Sequence, residues 1–553
     1  MREYFYRIIG RFVHNGSFKR LISAYRWSII FVVYLLVVFL FFLSRHINIL
    51  FAVLNVLFIF LVFVLIGKIR VKLVQRIVFF LISFLLSFSI TFSVLFCAPL
   101  ELGNVASILE TNLSEIFSLD WQDYLIGVFC LLVTTILSKN TILELNPKIS
   151  GGKAGVILLL LVFGVNIAAV AVPVYQNFQF VREYKKDLRE MPLQTIYTFS
   201  SLRLPLLYGD IFALTVYSYE KLDFQRFKNI EKKVPEGILI NSAERKISKI
   251  YLVVGESAWR ERMSLYGYEK KTTPFLDSLA RSDSSAILFY DGVSVANMTR
   301  DAVRFSLSFA SPFDKDAFWK EKNIVEMAKD AGYNTVWLSD QGQAGLYDNY
   351  PSYIARSADD TYFEDDLKKK DDLNLLPILD KYHEKGENQF FVLHLMGSHF
   401  PYQERYDELD NSYFDYPDSI SDYDKSIHHT DRFLNRLYDY TTKQDSNSII
   451  VYYSDHGASP DRGVHGLYGA EISEYRIPLV FLMNNASVNI DSIVSRYLSG
   501  EQEGGYINNM NLVYILSELT GYAVSADIVD KAVERGKYIM QVDGAVVLYP
   551  SEE

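Results

Sequence analysis

The chain has 553 residues and a formal net charge of −10, from 55 Lys and Arg against 65 Asp and Glu. Neutralising a phosphate backbone needs a surplus of basic residues, so no nucleic acid is expected as a partner, and the length suffices for two or more domains. Its two cysteines, Cys97 and Cys130, both sit in apolar runs, which excludes a disulfide from the polar part of the chain.

The mean hydropathy of +0.10 averages two unlike parts. Residues 1–180 are dominated by Leu, Ile, Val and Phe, and the remainder reads as a soluble protein. A helical membrane span takes roughly 17–25 mostly apolar residues. Five stretches qualify as spans, at about residues 27–43, 47–67, 77–99, 124–137 and 155–175. The fourth is short and needs Trp121 and Tyr124 as interfacial anchors.

Positive charge in short loops marks the cytoplasmic side. Arg2, Arg7, Arg11, Lys19, Arg20 and Arg26 precede the first span. Lys68, Arg70, Lys72 and Arg76 fill the second connection, and Lys139, Lys148 and Lys153 the fourth. The third carries Glu101, Glu110, Glu115, Asp120 and Asp123 without a basic residue. Five crossings then leave everything after Tyr175 on the outer face. Residues 181–245 read as a connector with helices lying at the membrane surface, and residues 246–553 as the soluble domain.

From Lys249 onward, short apolar runs alternate with helical stretches, the pattern of a mainly parallel α/β sheet covered by helices on both faces. Residues 250–254, 335–338, 390–395 and 449–453 are the expected strands. Each ends in polar residues: Gly255-Glu256-Ser257, Ser339-Asp340-Gln341, Gly397-Ser398-His399 and Ser454-Asp455-His456-Gly457. Ligands of open α/β sheets bind outside the carboxyl ends of the strands. Glu256, His399, Asp455 and His456 should therefore converge in one crevice, although Glu256 and His456 are 200 residues apart in sequence. Carboxylate with imidazole suits Zn²⁺ or Mn²⁺. His465 and His394 are further candidates, whereas His14, His46, His383, His428 and His429 are read as structural or exposed.

These motifs resemble those of the membrane-anchored phosphoethanolamine transferases, a family of the alkaline-phosphatase/sulfatase superfamily. The resemblance runs through residues 107–112, Val253-Val254-Gly255-Glu256-Ser257, residues 262–268, Thr273-Pro274, residues 394–399, residues 423–431 and Ser454-Asp455-His456-Gly457. It implies a five-helix transmembrane domain followed by a sulfatase-like soluble domain. It also implies a zinc site of Glu256, Thr299, Asp455 and His456, with Thr299 the nucleophile and one or two ions bound. His399 and His465, and more weakly His394, fall where the family binds phosphate or a second metal. Without the resemblance, Thr299 would read as a helix N-cap before Ala302, Val303 and Phe305. Ser257, next to Glu256, is the rival hydroxyl.

The function implied is transfer of phosphoethanolamine from phosphatidylethanolamine to lipid A, lipopolysaccharide core or another glycan, through phosphoethanolamine held covalently on Thr299. The implied location is the bacterial inner membrane with a periplasmic catalytic domain. Ala458 stands where the family often has Glu, the soluble part lacks the disulfides of the lipid A-modifying members, and residues 332–341 look more like branches acting on core sugars or other glycans. The alternatives are a glycerol-phosphate transferase of the lipoteichoic acid synthase type and a non-catalytic envelope protein on a sulfatase scaffold. The loop charges predict that a reporter fused after Glu553 is active only if it works outside the cytoplasm; activity of a cytoplasm-only reporter there contradicts the topology.

Overall fold

The structure is a computed structural model. It describes residues 23–43, 49–110, 121–145, 164, 205–227, 230–240, 247–341, 350–364, 371–383, 387–414, 421–445, 447–460, 470–484, 488–500, 505–542 and 544–550. The chain divides into two compact units, residues 1–105 with 119–218 and residues 106–118 with 219–553.

The first unit contains helices α1 (Arg26–Phe41), α2 (Ile49–Gly67), α3 (Lys72–Phe96) and α4 (Trp121–Leu145), and the start of α5 (Asp210–Phe227). Among the described residues three helices, α2, α3 and α4, are long and apolar enough to cross a membrane, and α1 is a shorter apolar helix. The expected fourth span, residues 124–137, is corrected: α4 has 25 residues and is not short. Its extra turns contain Ser138, Lys139, Asn140, Thr141 and Glu144, which broke the apolar count. Ser138 and Thr141 are fully buried. The Glu144 carboxylate accepts Trp27 N–H at 3.2 Å, Ser28 N–H at 2.8 Å and the Ser28 hydroxyl at 2.6 Å, satisfying groups that the start of α1 would otherwise leave bare. The expected fifth span, residues 155–175, lies outside the described residues apart from Gly164.

Residues 205–209 break helical geometry among these helices, with Leu206 and Leu207 fully buried. A bare peptide group among apolar side chains costs several kcal/mol unless it is paired. Asn55 pairs with both polar groups of Leu206, and the buried Asp210 accepts Leu207 N–H at 2.6 Å and the Ser89 hydroxyl at 3.0 Å.

The second unit is built on an eight-stranded sheet: β1 (Lys249–Gly255), β2 (Ile287–Val293), β3 (Asn334–Ser339), β4 (Asp360–Phe363), β5 (Gln389–His394), β6 (Ser448–Ser454), β7 (Arg476–Asn484) and β8 (Ile507–Asn508). The order is β4-β3-β5-β1-β6-β7-β2-β8, parallel except for β7, which is antiparallel to both its neighbours. The four expected strands are β3, β5, β1 and β6, side by side in the sheet.

Successive residues of these strands alternate between two cores. Ile250, Leu252, Val254, Phe390, Val392, Ile449 and Val451 belong to one, and Tyr251, Val253, Phe391, Leu393, Ile450 and Tyr452 to the other. Both cores are capped by helices. The second is closed by α6 (Pro274–Ser282), the first by α7 (Thr299–Ser306) and α8 (Ile324–Asp330), the second again by α9 (Leu375–His383) and α10 (Asp422–Gln444), and the first by α11 (Leu512–Leu519).

Three polar residues of the 423–431 motif act as struts between α10 and the segment after β1. Tyr423 donates its hydroxyl to Ser257 O at 2.7 Å and accepts Trp259 N–H at 2.7 Å. The buried Asp424 carboxylate accepts from Arg262 and from the Tyr268 hydroxyl. Asp431 accepts Phe275 N–H at 2.8 Å and Leu276 N–H at 3.2 Å at the start of α6. Asp431→Ala should therefore lower unfolding stability by about 1–3 kcal/mol, the usual cost of stranding buried donors. A urea midpoint equal to that of wild type contradicts this role.

Candidate metal centre

Pairing of β1 with β6 sets Gly255 opposite Ser454, so Glu256 and Asp455 leave the sheet side by side, with Asp455 N–H bonded to Gly255 O at 3.0 Å. His456 follows at once. Strand β2 points the same way as β6, and residues 294–298 lead from its carboxyl end into α7, which begins at Thr299. Asn297 ties this strap down by donating to the buried Glu474 carboxylate at 2.9 Å.

Glu256, Asp455 and His456 are buried, and one ligand atom from each lies within 4.8 Å of the others. His456 Nε2 is 3.2 Å from Glu256 Oε1 and 3.5 Å from Asp455 Oδ2. His456 Nδ1 lies 2.7 Å from Gly457 O, an acceptor, so Nδ1 carries a proton, and Nε2, which faces both carboxylates, is the position a metal would take. Asp455 Oδ1 accepts His456 N–H and Ser257 N–H, whereas Asp455 Oδ2 has no hydrogen-bond partner among the described residues. Burial and the Glu256 charge push the Asp455 carboxyl up. Burial pulls the His456 imidazolium down, but Asp455 and Glu256 outweigh it and hold its pKa up. An orphaned buried oxygen and two carboxylates competing for one proton-bearing ring fit a divalent cation.

Thr299 Oγ1 donates to Glu256 Oε2 at 2.9 Å and lies 3.4 Å from His456 Nε2. The N-cap expectation for Thr299 is corrected: Met298 holds the cap position, Thr299 is the first helical residue, and no side chain caps α7. Contact with Glu256 draws the hydroxyl away from the helix end. Ser257 also reaches Glu256, donating to Oε1 at 2.7 Å, but it is only 1% exposed and has a left-handed φ of 56°. Thr299 is half-buried, the more accessible of the two hydroxyls.

The loop after β5 lies against Glu256. Ser398 N–H bonds to Glu256 O at 2.9 Å, and Gly397 has φ +50°, where a Cβ would stand 2.8 Å from the Glu256 backbone. His394 is buried, and its imidazolium is pulled down to about 4 by that burial. Ser339 donates its hydroxyl to Gln341 O at 3.1 Å and so accepts from His394 Nδ1–H at 3.2 Å. That leaves Nε2 a lone-pair acceptor with no partner among the described residues. His399 is half-buried, its Nδ1 2.6 Å from Phe400 O. His465 lies outside the described residues. Glu256, Thr299, Asp455 and His456 are thus brought together, and His394 and His399 occupy the neighbouring strand end.

Two contributors had no chemical signature in the sequence. Gln341 donates to Glu256 Oε2 at 3.2 Å and to Leu395 O at 2.9 Å. The buried Asp372 accepts Met396 N–H at 2.7 Å and Gly397 N–H at 2.9 Å. Position after a strand is the signal for Gln341; Asp372 reads as one of two adjacent surface acids. A second acidic group, Asp407, Asp410 and His429, is equally tight. There Arg432 supplies the positive charge, 2.6 Å from Asp407 and 2.7 Å from Asp410.

Residues 248–522 match the sulfatase family. These residues form a domain of the alkaline-phosphatase/sulfatase superfamily. Within that superfamily the chain is similar to the phosphoethanolamine transferase EptC of Escherichia coli, 30% identical over 226 residues, which cover 38% of this chain and 39% of the relative. The phosphoethanolamine transferase EptA of Helicobacter pylori is 25% identical over 418 residues, 70% of this chain and 72% of that one. The chain spans about two-fifths of the length of the first curated relatives it matches. The solved lipooligosaccharide phosphoethanolamine transferase A of Neisseria meningitidis, an integral membrane protein, has the same fold at a TM-score of 0.63 and 19% identity, over 88% of this chain and 89% of the other.

If the group binds metal, purified Asp455→Ala should lose most of its zinc while Asp407→Asn keeps it, as read by elemental mass spectrometry. Full zinc in Asp455→Ala contradicts the site.

Proposed function

We propose that the chain transfers phosphoethanolamine from phosphatidylethanolamine to an envelope acceptor such as lipid A, lipopolysaccharide core or another glycan. The inner membrane anchors it, with residues 246–553 as a periplasmic catalytic domain. The observation that carries this reading is the Thr299 hydroxyl resting on Glu256 within the metal-donor group. It is supported by the names of the relatives, which are phosphoethanolamine transferases, and by helices that would hold the domain at a lipid surface.

Glu256, Asp455, His456 and Thr299 would hold zinc, which would supply Lewis acidity, lowering the pKa of a coordinated oxygen and offsetting charge on a phosphoryl group. Thr299 Oγ1 forms a bond to the donor phosphorus as the bond to the diacylglycerol oxygen breaks. Its proton leaves along the hydrogen bond to Glu256 Oε2, and the departing diacylglycerol oxygen gains one. In the second half the acceptor oxygen takes the phosphoethanolamine, loses its own proton and returns the Thr299 hydroxyl. His399 and His465 hold phosphoryl oxygens or move these protons, and the His394 Nε2 lone pair would bind a second ion.

Thr299→Ala should abolish transfer without loss of fold, because the hydroxyl caps nothing. Thr299→Ser should keep part of the activity and Thr299→Val none. Phosphatidylethanolamine without acceptor should leave phosphoethanolamine on the Thr299 peptide, while phosphatidylglycerol leaves no adduct. An active Thr299→Val, or mass added at Ser257, contradicts the mechanism.

A further inference from the structure

Glu256 Oε2 accepts from the Thr299 hydroxyl at 2.9 Å and from the Gln341 amide at 3.2 Å. The same Gln341 nitrogen donates to Leu395 O at 2.9 Å. Both partners are acceptors, a carboxylate oxygen and a peptide oxygen, so the nitrogen and not the oxygen of the amide must face them. Its two N–H groups match the two acceptors, and the side chain bridges the ends of β1 and β5.

The far side of this bridge is fixed. Leu395 N–H bonds to Val254 O at 2.9 Å, the next two N–H groups of the loop bond to Asp372, and Ser398 N–H bonds to Glu256 O. At its own end, Gln341 is anchored by the Ser339 hydroxyl on its carbonyl. Gln341 therefore carries the rigidity of the β5 loop to one oxygen of Glu256. We propose that Gln341 is a positioning residue for the metal centre, orienting the Glu256 carboxylate toward the cation and holding Oε2 in place when Thr299 gives up its proton. At that moment Thr299 ceases to be a donor to Oε2, and the Gln341 donor stays. This inference rests on the reading of Glu256 as a metal ligand.

Outer partners that orient a ligating group change metal affinity or activity by about 10–100-fold when they are removed. Gln341→Met keeps the length and approximate volume of the side chain and removes both donors. In the full-length protein in detergent, its zinc dissociation constant, measured by chelator competition, should rise about 10–100-fold. The thermal midpoint of the zinc-free protein should stay that of wild type, and at saturating zinc kcat should fall while KM for phosphatidylethanolamine holds. Gln341→Leu should give the same pattern, which excludes a thioether bond to zinc as the source of the effect.

A dissociation constant in both variants within about twofold of wild type overturns the positioning role while leaving wild-type zinc binding, and so the metal reading, in place. A zinc-free midpoint lowered in both variants overturns it in favour of a structural role. Wild type that binds no zinc overturns the metal reading and this inference with it.

Discussion

Burying Glu256 and Asp455 side by side opposes folding, because each carboxylate loses its water and repels the other. The parallel pairing of β1 and β6 nevertheless holds them there, backed by two cores that cover both faces of the sheet. The surrounding donors answer part of the charge: Ser257 and His456 backbone N–H on Asp455, the Ser257 hydroxyl on Glu256, and the His456 ring between the two acids. Asp455 Oδ2 accepts no hydrogen bond among the described residues, and that imbalance is what a cation and a phosphoryl group would use. The neighbouring acidic group shows the contrast. Asp407 and Asp410 hold Arg432, so their charge is already answered by the chain itself.

Strands β1, β3, β5 and β6 were legible because strands buried on both faces read as unbroken apolar runs. Strand β2 was not, since exposed positions and the Asp291-Gly292 pair interrupt it. Strand β7 is apolar but contains Pro478, which argues against a strand until the antiparallel pairing is seen. Strands β4 and β8 are only four and two residues long. Glu256, Asp455 and His456 followed from strand ends alone. Thr299 did not, because the strap at residues 294–298 has no period that would aim it at the crevice; family motifs supplied it. Gln341 and Asp372 stayed hidden because an amide and a backbone-binding carboxylate act here through geometry and not through residue type.

The apolar unit obeys the same rule of paired polar groups in a harsher solvent. Two polar residues that interrupted the hydrophobic count of α4 are paired in the structure: Glu144 closes the start of α1, and the buried Ser138 donates to Thr134 O at 2.6 Å. Asn55 and Asp210 do the same for the non-helical turn at residues 205–209. Composition alone shortens such helices, because it counts a buried, bonded side chain as if it faced lipid.

Anomalous scattering at the zinc edge from crystals of the full-length protein decides whether these residues hold a metal. A peak is expected, bonded to Glu256, Asp455, His456 and Thr299 Oγ1 at about 2.0–2.2 Å. A peak at Asp407, Asp410 and His429 with none beside Glu256, or no zinc peak at all, would contradict it.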